Sequence, residues 1–377
     1  MKLRIGRDEL LTGLQRVQGV VEKRNTMPIL SNILFEAKTD DSVDIVATDL
    51  EIGMRGLYKA KVEERGSATL AARKLYEILK ELPDGDLELT VGENHWATIQ
   101  AGRSQFKIVG LPSSDYPALP AIEREGLTPL TGASLLELIR KTLFAVGDND
   151  ARYILNGLLV TLTSTDKKTV LRLVGTDGHR LAVAEQELAS VTSKETPKEI
   201  KAIIPKKAAH EIRRLLEEGE SEPLIGFTKN LMIFRKSGLL LTSRLMEGNY
   251  PNYQQVVPKE KDPSGRVVAS RVELEGALRR VGVLSRDKTN AVKVTFSNGK
   301  MTLFSNNPDL GEATEELGVT YSGEPLTTGF NARYVLDVLG VIDGDSVSLQ
   351  MDAPLSPCLI REPGNTGFTC VVMPIKV

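Results

Sequence analysis

The sequence is poor in the residue types on which most enzyme chemistry relies. Its 377 residues include two cysteines, one tryptophan and three histidines. Cys358 and Cys370 are too few for a disulfide-framed scaffold, and in a late strand-rich stretch they read as free buried thiols of a reducing compartment. The histidines His95, His179 and His210 show no HxH or HExxH spacing, and there is no CxxC, so a metal centre is not expected. Neither a GxxxxGKS/T loop nor a dinucleotide-binding glycine pattern occurs, which argues against a bound nucleotide and leaves no cofactor to expect. No GxSxG elbow supplies a nucleophile. No stretch approaches the roughly 20 apolar residues that span a bilayer, and the opening Met1-Lys2-Leu3-Arg4-Ile5 lacks the apolar run of a signal peptide. A cytoplasmic protein is therefore the expectation. Positive charge is not in excess either: the net charge is −2. A regulator that grips DNA would be basic overall, so any contact with nucleic acid here must be local or loose.

What is present is an ordinary globular composition, 41% hydrophobic and 26% charged, long enough for two to three domains. The chain repeats itself. Asp8 to Val17 places Leu10, Leu14 and Val17 at helical spacing, with acidic residues at the helix start. Strands are expected over Ile29 to Ala37 and Val43 to Thr48, then Thr48-Asp49-Leu50 and a strand through Leu57. A second helix, Arg73 to Leu82, precedes three more strands and the loop Ser114-Asp115-Tyr116-Pro117. The same order returns from Ser134: a helix, strands over Arg152 to Leu162 and Val170 to Val174, Thr176-Asp177-Gly178, a helix from Lys206, and Asn249-Tyr250-Pro251-Asn252. A third pass opens with a helix over Val272 to Leu284 and reaches Asn306-Asn307-Pro308 where Thr-Asp stood before. A period of about 130 residues is a domain rather than a solenoid unit. The expectation is an α+β fold of three similar domains, 1–125, 126–254 and 255–377, each with two helices on antiparallel sheets.

Basic residues gather on the helices. Lys206, His210, Arg213 and Arg214 crowd one side of a helix whose other side carries Ala208, Ile212, Leu215 and Leu216, and Lys207 is a further cation of the same helix. Arg73 and Lys74, Arg140 and Lys141, and Arg279 and Arg280 repeat the theme. A solvated helix face accounts for any one of these. Their recurrence through a threefold repeat suggests contact with phosphates, which carries no base information. Asp177 and His179 form the one pair that suggests catalysis, yet the repeat partner Asp49 is followed by no histidine.

Together, Met27-Pro28-Ile29-Leu30-Ser31-Asn32, Arg152-Tyr153-Ile154-Leu155-Asn156-Gly157, Thr176-Asp177-Gly178-His179-Arg180-Leu181-Ala182, Tyr250-Pro251-Asn252-Tyr253 and Val372-Met373-Pro374-Ile375 resemble the bacterial DNA polymerase III β-subunit family of sliding clamps. The resemblance spans essentially the whole chain. It implies a head-to-tail homodimeric ring around duplex DNA, with helices lining the hole, and no enzymatic activity. By family position Arg24 and Arg152 join the DNA contacts. Arg103, Phe106 and Lys107 would meet Val283, Leu284, Glu312 and Glu315 of a second copy, although Gln105 stands where a familiar member has a basic residue. The resemblance also implies a groove for short linear peptides of the polymerase, the clamp loader and repair proteins. One part of it comprises Arg152, Leu155, Thr176, Gly178, His179, Arg180 and Leu181. The other comprises Pro251, Val256, Val371, Met373, Pro374 and Ile375. Two other readings stay open at this level: a monomeric scaffold that binds only proteins, and a hydrolase using Asp177 and His179.

Overall fold

The computed structural model describes residues 1–21, 27–120, 127–165, 168–188, 199–219, 221–258, 266–285 and 289–376. Six α-helices lie among them: α1 (Arg7–Val17), α2 (Ala72–Glu81), α3 (Gly132–Leu143), α4 (Lys206–Leu216), α5 (Arg271–Gly282) and α6 (Ala332–Leu339). Each buries the stripe its apolar spacing predicts. Leu10, Leu14 and Val17 of α1 are buried, as are Leu75, Ile78 and Leu79 of α2 and Val335, Val338 and Leu339 of α6. Within one repeat the two helices pack together, α1 on α2 and α5 on α6.

Contacts divide the chain into two compact units, one of 1–133, 193–196 and 207–245 and one of 134–192, 197–206 and 246–377. The first unit carries a continuous antiparallel sheet that joins strands of two repeats. Leu239–Arg244 pairs with Ile52–Lys59, with Leu241 opposite Met54. The second unit carries an eight-stranded sheet, in which Arg180–Leu188 pairs with Phe368–Val372, and a four-stranded sheet ending on Gly311–Gly318. Each unit thus contains the same device: a strand from one repeat hydrogen-bonds to a strand of the next, so that sheets run on across repeats.

Local sequence misleads in two equivalent places. Pro28–Ser31 and Tyr153–Asn156 are 3-10 turns, not the starts of strands. Proline fixes the first of these, and in both a buried leucine, Leu30 or Leu155, points into the core. Three strands that the apolar pattern leaves unmarked, Lys2–Gly6, Lys61–Glu64 and Gly66–Ala71, complete the first unit's sheet.

The Thr-Asp turn is identical in both units. In the first, Thr48 Oγ1 accepts from the Leu50 amide (3.0 Å) and donates to the Ile52 carbonyl (2.9 Å). Asp49 Oδ1 accepts from the amides of Glu51 (2.9 Å) and Ile52 (2.6 Å). A buried tyrosine hydroxyl braces the preceding strand, that of Tyr116 donating to the Val46 carbonyl (3.4 Å). The turn places one residue in the left-handed region, Leu50 at φ 77°.

Candidate functional site

In the second unit the turn is rebuilt atom for atom. Thr176 Oγ1 accepts from the Gly178 amide (3.1 Å) and donates to the Arg180 carbonyl (2.6 Å). Asp177 Oδ1 accepts from the amides of His179 (2.9 Å) and Arg180 (3.0 Å). Tyr250 takes the place of Tyr116, its hydroxyl 3.2 Å from the Val174 carbonyl. Here the left-handed residue is Gly178, at φ 83°. A Cβ at this position would lie 2.5 Å from the Arg152 guanidinium, so glycine is what lets Arg152 close over the turn. Arg152 donates to the Asp177 carbonyl (2.8 Å) and to both oxygens of Asp150 (3.0 and 2.9 Å). Hydrogen bonds from Arg152 hold the Asp150 carboxyl well down, at about 2.

Arg180 is the most enclosed cation at the site. It donates to Asp177 Oδ2 (3.0 Å) and to Asp337 of α6. Its guanidinium lies over the rings of Tyr334 (4.5 Å) and Phe144 (5.5 Å). His179 is exposed and also stacks on Tyr334, with centroids 6.3 Å apart and planes 21° from parallel. Its backbone carbonyl accepts from the Met373 amide (2.8 Å), and the Ile375 amide donates to Gly329 (2.8 Å). The chain's final residues are thereby pinned alongside the turn.

The floor is apolar. Leu159, Val174, Leu181, Ile203, Met246, Tyr250, Leu359 and Val371 form one buried cluster, with Ile154, Val183, Tyr253 and Val257 half-buried above it. Of the expected groove residues, Leu181 and Val371 belong to this cluster, and Leu155 and Thr176 are buried as well. His179, Arg152, Pro251 and Val256 stand exposed, and Met373, Pro374 and Ile375 are half-buried. Beside them opens a cavity of about 660 Å³ lined by His179, Tyr334, Asn331, Ile375, Lys376, Phe304 and Lys293 among others. The sequence reading missed Tyr334, Asn331, Phe304 and Lys293. A faint signal existed for two of them, since Asn331, which caps α6, is followed at every third residue by Tyr334 and Asp337 on that helix.

This geometry removes the catalytic reading of Asp177 and His179. The Asp177 carboxylate is engaged by two backbone amides and Arg180, and what it receives from His179 is the main-chain N–H, not the ring.

The basic helices need correction. Lys141 is buried, 8% exposed, and pairs with Glu137 (2.6 Å) and Asp343 (3.7 Å), so it is not part of a solvated cationic face. Arg140 forks onto Asp343 at 2.7 and 2.8 Å. Lys207 donates to the Val20 carbonyl (3.0 Å) and to Asp49 Oδ2 (2.5 Å), whose side chain is 4% exposed. Arg214 donates to the Gln15 carbonyl (3.0 Å) and to that of Arg16, at the end of α1. Lys206 reaches the Val146 carbonyl (3.2 Å). Arg73 and Lys74 share Glu77, Arg213 lies 3.7 Å from Glu217, and Arg279 pairs with Glu275. Arg73, Lys74 and Arg279 are exposed and their pairs are within one helix. Such pairs are worth a few tenths of a kcal/mol (~0.3–0.5) and exchange readily for phosphate. Arg24 lies outside the described residues.

Of the strand edges that are open among the described residues, two carry the residues expected to meet a second copy. Ser104–Leu111 is paired along Trp96–Ala101 but meets Gly66–Ala71 only at Gly110 and Leu111. It shows exposed Arg103 and half-buried Phe106, and it carries Lys107, whose ammonium lies over the Trp96 ring (5.5 Å). Gly311–Gly318 pairs on one side only, with Lys300–Asn307, and presents Glu312. Val283, 76% exposed, and half-buried Leu284 follow α5. Glu315, expected to face a second copy, is bound by Arg280, expected to face DNA; both are held by one exposed ion pair.

Family profiles for the DNA polymerase III beta subunit match in order: its N-terminal domain at residues 1–120, its central domain at 129–252 and its C-terminal domain at 254–376. The chain is 38% identical to the beta sliding clamp of Caulobacter vibrioides over 380 residues, covering all of both chains. Solved structures of the DNA polymerase III beta subunit from Pseudomonas aeruginosa and of the Bartonella birtlesii sliding clamp bound to griselimycin, each 35% identical, superpose with TM-scores of 0.91 and 0.93 over the full length of both chains. The chain belongs to the DNA polymerase III β-subunit family, the DNA sliding clamps that serve a polymerase and catalyse no reaction of their own.

Proposed function

We propose that two copies close head to tail around duplex DNA and that the groove between the Thr176–Leu181 turn and the Val371–Ile375 segment receives short apolar peptides of the replicative polymerase, the clamp loader and repair proteins. The observation that carries the groove assignment is an apolar floor rimmed by Arg152, His179 and Tyr334, with glycine at the one position where a side chain would displace Arg152. Such a rim orients a peptide backbone while the floor takes its aliphatic side chains. Ring closure is supported by two open edges, one bearing Arg103 and Lys107, the other Glu312 and Glu315. Charges of opposite sign fix which edge meets which, and Gln105 contributes none. The exposed cations of the helices, with Arg152, would touch phosphates without reading bases, which permits sliding. In this reading the domains are 1–125, 126–254 and 255–377, and the protein works in the cytoplasm.

Retention on DNA tests the ring. After loading onto a nicked circle the protein should stay bound through gel filtration at moderate salt, and it should escape once the circle is linearised. Equal retention on linear DNA with free ends would sink the topological claim. A stable monomer at micromolar concentration, by sedimentation, would favour the scaffold reading instead.

A further inference from the structure

The first unit holds a cavity of about 890 Å³ lined entirely by its own residues, none of which belongs to the groove. Strand register dictates its floor. Leu34 is opposite Val46, Val46 opposite Arg55, Arg55 opposite Leu240, Leu240 opposite Arg235 and Arg235 opposite Leu224. Residues paired across strands share a face, so these six form one row across six strands. The segment Tyr116-Pro117-Ala118-Leu119-Pro120 also lines the cavity, its two prolines restricting the backbone. The volume falls in the range of small-molecule sites. All six strands are paired on both sides, so the floor offers a peptide no free backbone ladder, and a compact ligand suits it better.

The row carries two guanidinium groups, and their surroundings differ. Arg55 is matched: it donates to Glu36 and lies 3.6 Å from Asp44. Arg235 is not. Its Nε is buried, and among the described residues it meets neither a hydrogen-bond acceptor nor a carboxylate. Glu222 also lines the cavity, but it is exposed and forms no ion pair with Arg235. The second unit shows what Arg235 lacks. There Thr369 is opposite Val183, as Leu240 is opposite Arg55 in the first. The neighbouring strand carries Arg361, whose Nε donates to the Thr369 hydroxyl (3.1 Å). Leu240 offers no such oxygen, so the Arg235 donor stays unengaged. A buried cationic donor without an acceptor is costly, and a carboxylate is the acceptor that a guanidinium fork fits best.

We propose that this cavity binds a small organic acid, a single carboxylate on a compact apolar body, with Arg235 holding the carboxylate and Leu240, Leu119 and Val46 lining the space for the body. The site does not depend on the peptide groove.

The test is titration of the full-length protein with 4-phenylbutyrate and octanoate, each beside its primary amide, followed by ligand-observed NMR. At least one acid should bind with a Kd below about 1 mM and about tenfold or more tighter than its amide. Arg235→Gln should erase that difference by weakening the acid about tenfold. Leu240→Thr gives Arg235 the acceptor that Arg361 already has. It should weaken the acid about three- to tenfold without lowering the urea midpoint, so the test stands even where Arg235→Gln folds poorly. Absence of any acid binding below about 1 mM, equal affinity for acid and amide, or an acid affinity unchanged by both variants would overturn the inference. Acid binding that is lost in His179→Ala and kept in Arg235→Gln would place the acid in the groove and overturn it as well.

Discussion

The turns Thr48–Ile52 and Thr176–Arg180 share their backbone hydrogen bonds and their bracing tyrosine, and they differ in what the exposed residues do. In the first, Leu50 holds a left-handed conformation that glycine would adopt without strain, and the Asp49 carboxylate is spent inward on Lys207. In the second, Gly178 makes room for Arg152, His179 is presented on Tyr334, and Asp177 orients Arg180. One turn is a joint; the other, in the function proposed above, is a joint with a recognition surface added. The lesson is that a repeated scaffold fixes the backbone of a site while leaving its chemistry to the three or four residues it does not need.

The largest expected break in this comparison is Asp49→Ala. It strips two amides and the Lys207 ammonium of a buried acceptor and should cost about 3 kcal/mol in urea unfolding. Asp177→Ala should cost less, since Arg180 retains Asp337. Next comes alkali. Only the second turn is backed by a thiol strand: Ala182 is opposite Cys370, where Met54 faces Leu241 in the first. Burial pushes the Cys358 thiol up to about 12 and Cys370 up as well. Their folded-state pKa values exceed the unfolded ones, so this stability is complete below about pH 8.5 and is lost as pH rises above it. By pH 9.5 the loss should reach about 1.4 kcal/mol per thiol, and Cys370→Ala should flatten that slope. Gly178→Ala is expected to cost about 1–2 kcal/mol and to weaken peptide binding by displacing Arg152, measured by unfolding and anisotropy together. His179→Ala should lower peptide affinity about tenfold with stability within about 0.5 kcal/mol. The smallest effect is a gain: Leu50→Gly should stabilise by a few tenths of a kcal/mol (~0.3–0.8), as left-handed strain is relieved against added chain entropy. An unstable Leu50→Gly would show that the Leu50 side chain contributes more than its exposure suggests.

Much of this was legible in the residues. Thr48-Asp49 and Thr176-Asp177 announce the shared turn because its bonds are made by those side chains locally. The helices announce themselves through spacings such as Leu10, Leu14 and Val17. The open edges were not legible as edges, although their residues were named. What the sequence conceals is the counter-ion. Arg140 and Lys141 look free until Asp343, some 200 residues on (203 between Arg140 and Asp343), is folded onto them, and Lys207 looks free until Asp49 reaches it. Tyr334 looked like one more helical aromatic because its meaning lies in Arg180 and His179, which arrive from another repeat. The 3-10 turns at Pro28–Ser31 and Tyr153–Asn156 were hidden for the opposite reason. Their apolar residues suit a strand, and only the need to tuck Leu30 and Leu155 inward bends them.

The two open strand edges have a further consequence. Edges of opposite charge on one chain give it a direction, and a directed unit has two ways to satisfy both ends: closure after a fixed number of copies, or growth without end. In the head-to-tail assembly proposed above, closure requires that the last copy's free edge meet the first copy's. A change far from either edge that prevents that meeting would therefore be expected to yield fibres rather than monomers, since in that reading the free sides of Ser104–Leu111 and Gly311–Gly318 stay available to each other.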